Sequence, residues 1–150
     1  MGSTADLADA DHVMRYVPWS KLRRDAADVV LGFLPQAFQL RPDEAALSVN
    51  WIKYFPGAAT QARDCVWALR RTRNVGALSA FAIAATSAIR TACLTRDVRV
   101  RIVHEPREGE PAHASIYHLP AEDLNLLSAL AEDAFTEMLR NTEIPPEPGG

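Results

Sequence analysis

The chain has 150 residues, of which 48% are hydrophobic and 23% charged, and these values exclude a disordered protein and suit one domain with its own core. Residues 1–10 are acidic and lack an apolar run, which argues against a secretory signal. The longest weakly polar stretch, residues 75–88, spans 14 residues, fewer than a membrane span needs. We therefore expect a cytoplasmic protein with no membrane association.

Charge is unevenly distributed along the chain, although the net charge is only −3. Residues 53–107 carry ten Lys and Arg against three Asp and Glu, whereas residues 108–150 carry nine acidic residues and one cation, Arg140. The basic middle and the acidic C-terminal region either neutralise each other within the fold or face charged partners outside it. The charge pattern thus points to a binding partner or to internal pairing.

The N-terminal third is predicted to form short strands after a flexible acidic tail, residues 1–11. Apolar residues alternate in the strand 12–17, and a second strand covers residues 29–34. We expect these two strands to pair as a hairpin across the polar turn 23–28. Alternation also predicts a strand over residues 47–54 with one buried face.

The spacing of apolar residues changes in the middle of the chain. Apolar residues at helical spacing predict a helix over residues 58–74, and the alternation of residues 79–86 favours a strand. Residues 98–104 and 112–119 alternate on either side of a Gly and Pro turn, which is typical of a β-hairpin.

The C-terminal region predicts one more helix. Pro120 suits its first position, and one apolar stripe continues to about Leu139. Residues 142–150 are rich in Pro and Gly and predict a flexible tail. The sequence therefore predicts a single α+β domain over residues 12–141, with a mixed, mostly antiparallel sheet and two helices packed on it.

Basic and aromatic side chains share one face of the predicted middle helix. Arg63, Trp67, Arg70 and Asn74 are spaced at i, i+4, i+7 and i+11, and Arg71 lies beside them. An outward-facing indole flanked by guanidinium groups is typical of a surface that stacks a nucleic-acid base or binds an acidic protein. The alternative is that Trp67 covers the edge of the core and the arginines are solvated or pair with the acidic C-terminal helix.

A second group of polar residues lies in the predicted strand 112–119. His113 and Ser115 alternate onto one face, where a His and a hydroxyl suit phosphate chemistry. The tetrapeptide from His113 resembles the H-x-[ST]-hydrophobic motif of the two-histidine phosphoesterases, which implies acid and base roles for two such motifs. Only one copy occurs in this chain. The alternative is a histidine without a catalytic role.

Two other strands carry a third pattern. Arg15 and Tyr16 in the first strand, read beside Ser48 in the strand 47–54, are similar to the nucleotide-holding residues of ADP-ribosyltransferase-like folds. The resemblance implies that Glu44 or Glu105 serves as the catalytic acid. The alternative is an ordinary edge strand with a surface arginine.

Cofactor and metal motifs are missing from the sequence. Cys65 and Cys93 have no Cys or His at metal-ligand spacing, which predicts two reduced thiols and neither a metal site nor a disulfide framework. The chain contains seven glycines and no Gly-rich phosphate loop, so we expect no cofactor.

Three stretches resemble segments of small bacterial proteins: residues 12–18, residues 32–51, and residues 103–106 followed by 113–120. The resemblance implies a bacterial accessory component and brings no activity with it. Together with the charge pattern, it predicts an accessory or adaptor protein that binds an acidic protein or a nucleic acid through the basic helix face. The alternative is a small nucleotide- or phosphodiester-processing enzyme that uses His113 and Ser115, with Arg15. A third alternative is an obligate subunit whose basic face is buried against a companion chain.

Overall fold

A seven-stranded antiparallel sheet organises the molecule, as seen in the computed structural model, which describes residues 5–149. In chain order the strands are β1 (Ala5–Asp6), β2 (His12–Val17), β3 (Leu22–Arg24), β4 (Val30–Phe33), β5 (Ala46–Trp51), β6 (Ala80–Ala85), β7 (Arg101–His104), β8 (His113–Tyr117) and β9 (Glu137–Arg140). The sheet order is β1-β7-β8-β5-β2-β6-β9, while β3 and β4 form a separate hairpin. The predicted α+β fold is confirmed.

Three α-helices accompany the sheet in the described part of the chain: α1 (Gln61–Thr72), α2 (Thr86–Leu94) and α3 (Leu124–Ala129). A π-helical turn, Leu130–Ala134, continues α3. Short 3-10 turns cover Pro35–Phe38 and Ile52–Tyr54. None of these helices combines the length and the apolar character that crossing a bilayer requires.

The larger core lies between one face of the sheet and the layer formed by α2 and α3. Period-two alternation in β5 turns Leu47 and Val49 toward this core, where both are fully buried. Phe38 and Phe135 stack within it, with ring centroids 4.4 Å apart. The other side chains of β5 therefore point to the opposite face.

That opposite face is covered in part by α1. Val66 and Leu69 of α1 pack on Met14 of β2 and Phe81 of β6 in a second, smaller core. Apart from Ala46, the residues of β5 and β8 on this face are polar. They form the surface described in the next section.

The predicted pairing of strands in the N-terminal third is wrong. The strand 12–17 does not form a hairpin with Val30–Phe33, because β2 lies in the middle of the sheet between β5 and β6. Arg23 and Arg24, predicted to belong to the polar turn 23–28, form with Leu22 the strand that pairs with β4. Trp19 and Arg24 stack here, with the guanidinium carbon 4.2 Å from the ring centroid.

The predicted C-terminal helix is wrong at both ends. Pro120 is not its first position, because α3 begins at Leu124 with Asp123 as its N-cap. The chain leaves the helical conformation at Phe135, whose ring fills the larger core, and residues Glu137–Arg140 then pair with β6 as the edge strand of the sheet. Pairing satisfies the outward N–H and C=O groups of β6, which a packed helix cannot do. The apolar spacing of this region fits both structures, so the sequence pattern did not distinguish them.

The helix α2 has no counterpart among the predicted elements, although Ile89, Ala92 and Cys93 are buried at helical spacing. Residues Ala5–Asp6, predicted to lie in a loose tail, pair with β7, and Leu7 is buried in the larger core. Residues 1–4 of that predicted tail lie outside the described residues.

Candidate functional site

The basic face of α1 does not project freely into solvent. Trp67 is 9% exposed, and its Nε1 donates a hydrogen bond to the carbonyl of Pro145 at 2.8 Å. The Arg63 guanidinium lies over the indole ring, 4.3 Å from its centroid. The expectation of an outward-facing Trp67 is therefore wrong. The apolar indole loses contact with water under the C-terminal chain, which also supplies an acceptor for its N–H.

The C-terminal residues that cover this face, 141–147, are called the tail segment below. Arg70 donates from Nη2 to the carbonyls of Asn141 and Ile144 at 3.1 and 2.9 Å, and from Nη1 to the carbonyl of Pro145 at 2.8 Å. Its Nη2 and Nε also donate to Oδ1 of Asn141, at 2.8 and 3.1 Å. Arg71 forms an ion pair with Glu147.

These contacts bear on two predictions, the flexible C-terminal tail and the basic face that binds a partner. Residues 142–147 of the tail segment were expected to be part of a flexible Pro/Gly tail, but they lie along α1, where their carbonyls accept hydrogen bonds from the indole and guanidinium groups. The four residues of the basic face already have partners within the chain. Their binding to another molecule remains a prediction.

A different polar surface lies where β5 and β8 run side by side. Their register places Ser48 opposite Ser115 and Asn50 opposite His113. Alternation puts His113, Ser115 and Tyr117 on one face, as the sequence predicted, while Ala114 and Ile116 enter the larger core. The predicted hairpin between β7 and β8 is confirmed as well.

His113 uses both ring nitrogens. Its Nδ1 lies 2.8 Å from the main-chain carbonyl oxygen of Glu105, and its Nε2 lies 3.2 Å from Oγ of Ser48. A carbonyl oxygen only accepts, so Nδ1 carries the proton and Nε2 is the acceptor for the Ser48 hydroxyl. His113 is 1% exposed, and this burial lowers its pKa and favours the neutral ring.

Ser115 has a different partner from the one that its spacing suggested. Its hydroxyl donates to Oε1 of Glu105 at 2.6 Å, and the hydroxyl of Tyr117 donates to Oε2 of the same carboxylate at 2.6 Å. These two hydrogen bonds lower the pKa of Glu105, and the bond to the carboxylate raises the pKa of Tyr117. Ser115 therefore anchors the residue whose carbonyl orients His113, and it does not contact the imidazole by a hydrogen bond.

Arg15 fills the gap where β2 and β5 separate beyond Met14 and Asn50, the last pair in their register. Its Nε donates to the Ala37 carbonyl at 2.7 Å and its Nη1 to the Ser48 carbonyl at 2.8 Å. Burial lowers the pKa of Arg15 to about 10, so the guanidinium is still charged at neutral pH. Within residues 5–149, Nη2 has no hydrogen-bond acceptor from the protein.

A cavity of about 530 Å³ opens beside these residues, and Ser48, Ser115 and Tyr117 line it. Five cationic side chains contribute to its wall: Arg15, Lys21, Arg41, Arg73 and Arg107. Three acidic side chains also line it: Asp43, Glu44 and Glu105. Arg41 pairs with Glu44 at 3.4 Å, and Arg73 pairs with Glu110 at 3.4 Å. The cationic excess suits an anionic ligand, and we call this space the arginine cavity.

The structure brings together three of the residues singled out in the sequence. Arg15 and Ser48 lie on neighbouring strands, and His113 reaches Ser48 from the next strand. Ser48 was not foreseen as the partner of His113, since only the strand order brings β5 beside β8. The sequence signal for Ser48 was that polar residues alternate with apolar ones in residues 47–54.

Metal-binding groups are not evident in the part of the chain that the structure describes: no three or more His, Cys, Asp or Glu side chains are arranged to hold an ion. Cys65 and Cys93 are both free and buried. Burial raises the pKa of the Cys65 thiol to about 12 and that of Cys93 to about 11, so both remain protonated.

The arginine cavity thus presents a serine hydroxyl and a charged guanidinium. The buried neutral imidazole of His113 does not line the cavity itself and accepts the hydrogen bond of the Ser48 hydroxyl. This combination of groups is able to deprotonate a nucleophile and hold an anion. Comparisons of the chain with protein-family models, with curated proteins and with solved structures find no match, so the geometry alone bears on its function.

Proposed function

We propose that this protein is a small phosphodiester-processing hydrolase in which Ser48 is the nucleophile and His113 the general base. The observation that carries the proposal is the hydrogen bond from the Ser48 hydroxyl to Nε2 of His113, at 3.2 Å, beside a cationic cavity. A nucleophile within hydrogen-bond reach of a base that a third group orients is the arrangement expected for covalent catalysis. Here the third group is the Glu105 carbonyl.

The protonation state of His113 supports this role. Its Nδ1 donates to a carbonyl, which leaves the Nε2 lone pair directed at the hydroxyl. Because burial lowers its pKa, His113 is neutral at pH 7 and ready to accept a proton. Ser115 and Tyr117 hold Glu105 by its carboxylate, and so act as positioning residues for the imidazole.

The charge of the arginine cavity supports an anionic substrate. Arg15 is hydrogen-bonded to the main chain of Ser48 and keeps one terminal nitrogen without a protein acceptor among the described residues. Lys21 and Arg107 add further positive charge to the wall. A phosphodiester carries one negative charge, which these cations would neutralise as charge develops on the phosphoryl oxygens.

The proposed reaction has two steps. Ser48 Oγ attacks phosphorus while its proton passes to Nε2 of His113, and the P–O bond to the leaving alcohol breaks as the alcohol takes that proton. The intermediate is a phosphodiester between Ser48 Oγ and the remaining alcohol. Water then attacks its phosphorus, gives a proton through His113 to Ser48 Oγ, and releases a phosphate monoester. The cytoplasmic location and bacterial setting expected from the sequence remain part of this proposal.

Hydrolysis of bis(p-nitrophenyl) phosphate tests the assignment. We expect Ser48→Ala and His113→Gln each to lower kcat by about 100-fold or more, as loss of a nucleophile or base does. Ser115→Ala should lower kcat far less than Ser48→Ala does, because its hydroxyl does not react and Tyr117 still holds the Glu105 carboxylate. Ser128→Ala, in α3 and outside the lining of the arginine cavity, is the matched control.

Two results would contradict the proposal. One is equal turnover by the wild-type chain and Ser48→Ala. The other is a wild-type chain that hydrolyses p-nitrophenyl acetate and leaves both bis(p-nitrophenyl) phosphate and p-nitrophenyl phosphate intact, because acyl transfer would then replace phosphoryl transfer. A p-nitrophenyl phosphodiester on Ser48, trapped at low pH and located by mass spectrometry, would support it.

A further inference from the structure

We propose that the basic face of α1 is a docking groove for an acidic segment of a partner protein, and that the tail segment is its built-in competitor. The groove is formed by Arg63, Trp67, Arg70 and Arg71. In the structure residues 141–147 occupy it, and their contacts describe what the groove recognises.

Recognition depends mostly on the backbone of the occupant. Trp67 and Arg70 direct six hydrogen bonds at the tail segment, and four of them end on main-chain carbonyls. The segment begins with a 3-10 turn, Asn141–Glu143, and Ile144 after it is extended. Every peptide that follows this path presents such carbonyls, whereas only the side chains of Asn141 and Glu147 supply sequence-dependent acceptors. The groove is therefore suited to other segments of the same shape and charge.

The attachment of the tail segment is also suited to exchange. The segment is attached to the sheet at its first residue, where the Asn141 N–H donates to the Ser79 carbonyl at 2.9 Å beyond the last ladder pair at Arg140. Its later residues pair with no strand among the described residues. Its apolar anchor is Ile144, which packs at the margin of the smaller core. The Arg71–Glu147 ion pair is exposed on both sides, with side chains 57% and 38% accessible, so water and salt weaken it. A competing segment would replace contacts of a similar kind.

A protein segment fits the groove better than a nucleic acid. The face of the Trp67 ring is already covered by the Arg63 guanidinium, which leaves no open surface for a stacked base. The donors of Trp67 and Arg70 are arranged along a backbone with carbonyls at residues 141, 144 and 145. Arg71 at the end of the groove favours an acidic residue after the proline.

Fluorescence anisotropy with the full-length chain tests the inference. The probe is a fluorescein-labelled heptapeptide with the sequence of residues 141–147. A tethered competitor at an effective concentration of about 1 mM should mask the groove in the wild-type chain. We expect the Ile144→Ser/Glu147→Ala variant, here called the released variant, to bind the probe at least tenfold more tightly than the wild type.

Two substitutions in the released variant identify the groove. Arg70→Ala should weaken binding of the probe at least tenfold, and Arg70→Lys should also weaken it, because an ammonium keeps the charge and loses the fork of donors. Arg99→Ala removes an exposed arginine away from α1 and is the matched control. The readout is binding, so it is independent of whether Ser48 and His113 hydrolyse phosphodiesters.

Each of four results would overturn the inference. The first is equal affinity of the wild-type and released chains for the peptide, and the second is unchanged binding after either Arg70 substitution. The third is tighter binding of a fluorescein-labelled thymidine oligonucleotide than of the peptide. The fourth is loss of the folded circular dichroism spectrum in the released variant. The last would make the tail segment an integral part of the fold and not an exchangeable occupant.

Discussion

His113 and Arg15 are buried polar residues whose hydrogen bonds decide what they are able to do. Both ring nitrogens of His113 have partners, so burial favours its neutral form without leaving an unpaired donor. Arg15 remains charged, because its pKa falls only to about 10 and two carbonyls accept its hydrogens. A neutral base and a fixed cation thus lie on either side of Ser48.

The lowered pKa of His113 predicts a pH-dependent stability. Its pKa in the folded chain lies below the unfolded value of about 6.5, so the unfolded state binds more protons at mildly acidic pH. The free energy of unfolding should therefore be highest above pH 6.5 and fall as the pH drops below it. Urea unfolding from pH 7.5 to 5 measures this, and His113→Gln should show a shallower fall. A slope unchanged by His113→Gln but removed by His12→Gln would contradict it.

At the scale of elements, alternation in the sequence was sufficient where a strand has one buried face. The alternation of residues 47–54 and of 112–119 predicted β5 and β8, and it placed His113 and Ser115 on one face. Partners across the sheet were not predictable, because Ser48 meets His113 only after residues distant in sequence form neighbouring strands. The same limit hid the pairing of β9 with β6.

An N-cap residue, Asp123, stabilises the start of the helical part of the C-terminal region. Asp123 accepts a hydrogen bond from the Leu126 N–H at 3.1 Å through Oδ1, at the start of the six-residue helix α3. Asp123→Ala should lower the free energy of unfolding by about 1 kcal/mol. Chemical denaturation checks this, with the exposed neighbour Glu122→Ala as the control. Equal losses from the two substitutions would show that the cap adds no stability.

The uneven charge of the sequence is partly resolved inside the molecule as a whole. Arg71 pairs with Glu147, and Arg73 with Glu110, so the basic middle and acidic C-terminal regions meet across the fold. Arg73 and Arg107 are the cations of the basic region that line the arginine cavity, together with three cations from earlier in the chain. Internal pairing, one of the two alternatives that the sequence presented, therefore accounts for part of the uneven charge, and binding of an external anion is the role that we propose for the cavity.

The two cores lie on opposite faces of the same strands, and this predicts one cooperative unfolding transition. In β2, Val13 faces the larger core and Met14 the smaller one, so loss of either core disturbs a shared strand. Phe135→Ala should cost about 3–5 kcal/mol and Leu69→Ala about 2–5 kcal/mol.

For each variant, far-UV circular dichroism and Trp67 fluorescence should report the same decrease in the denaturant midpoint. The Trp67 signal is isolated by subtracting the spectrum of a Trp67→Phe chain. The signal of Trp67 reports on the smaller core, since its helix α1 packs there. If Phe135→Ala moved the dichroism transition and left the Trp67 transition in place, α1 and the tail segment would unfold separately from the sheet.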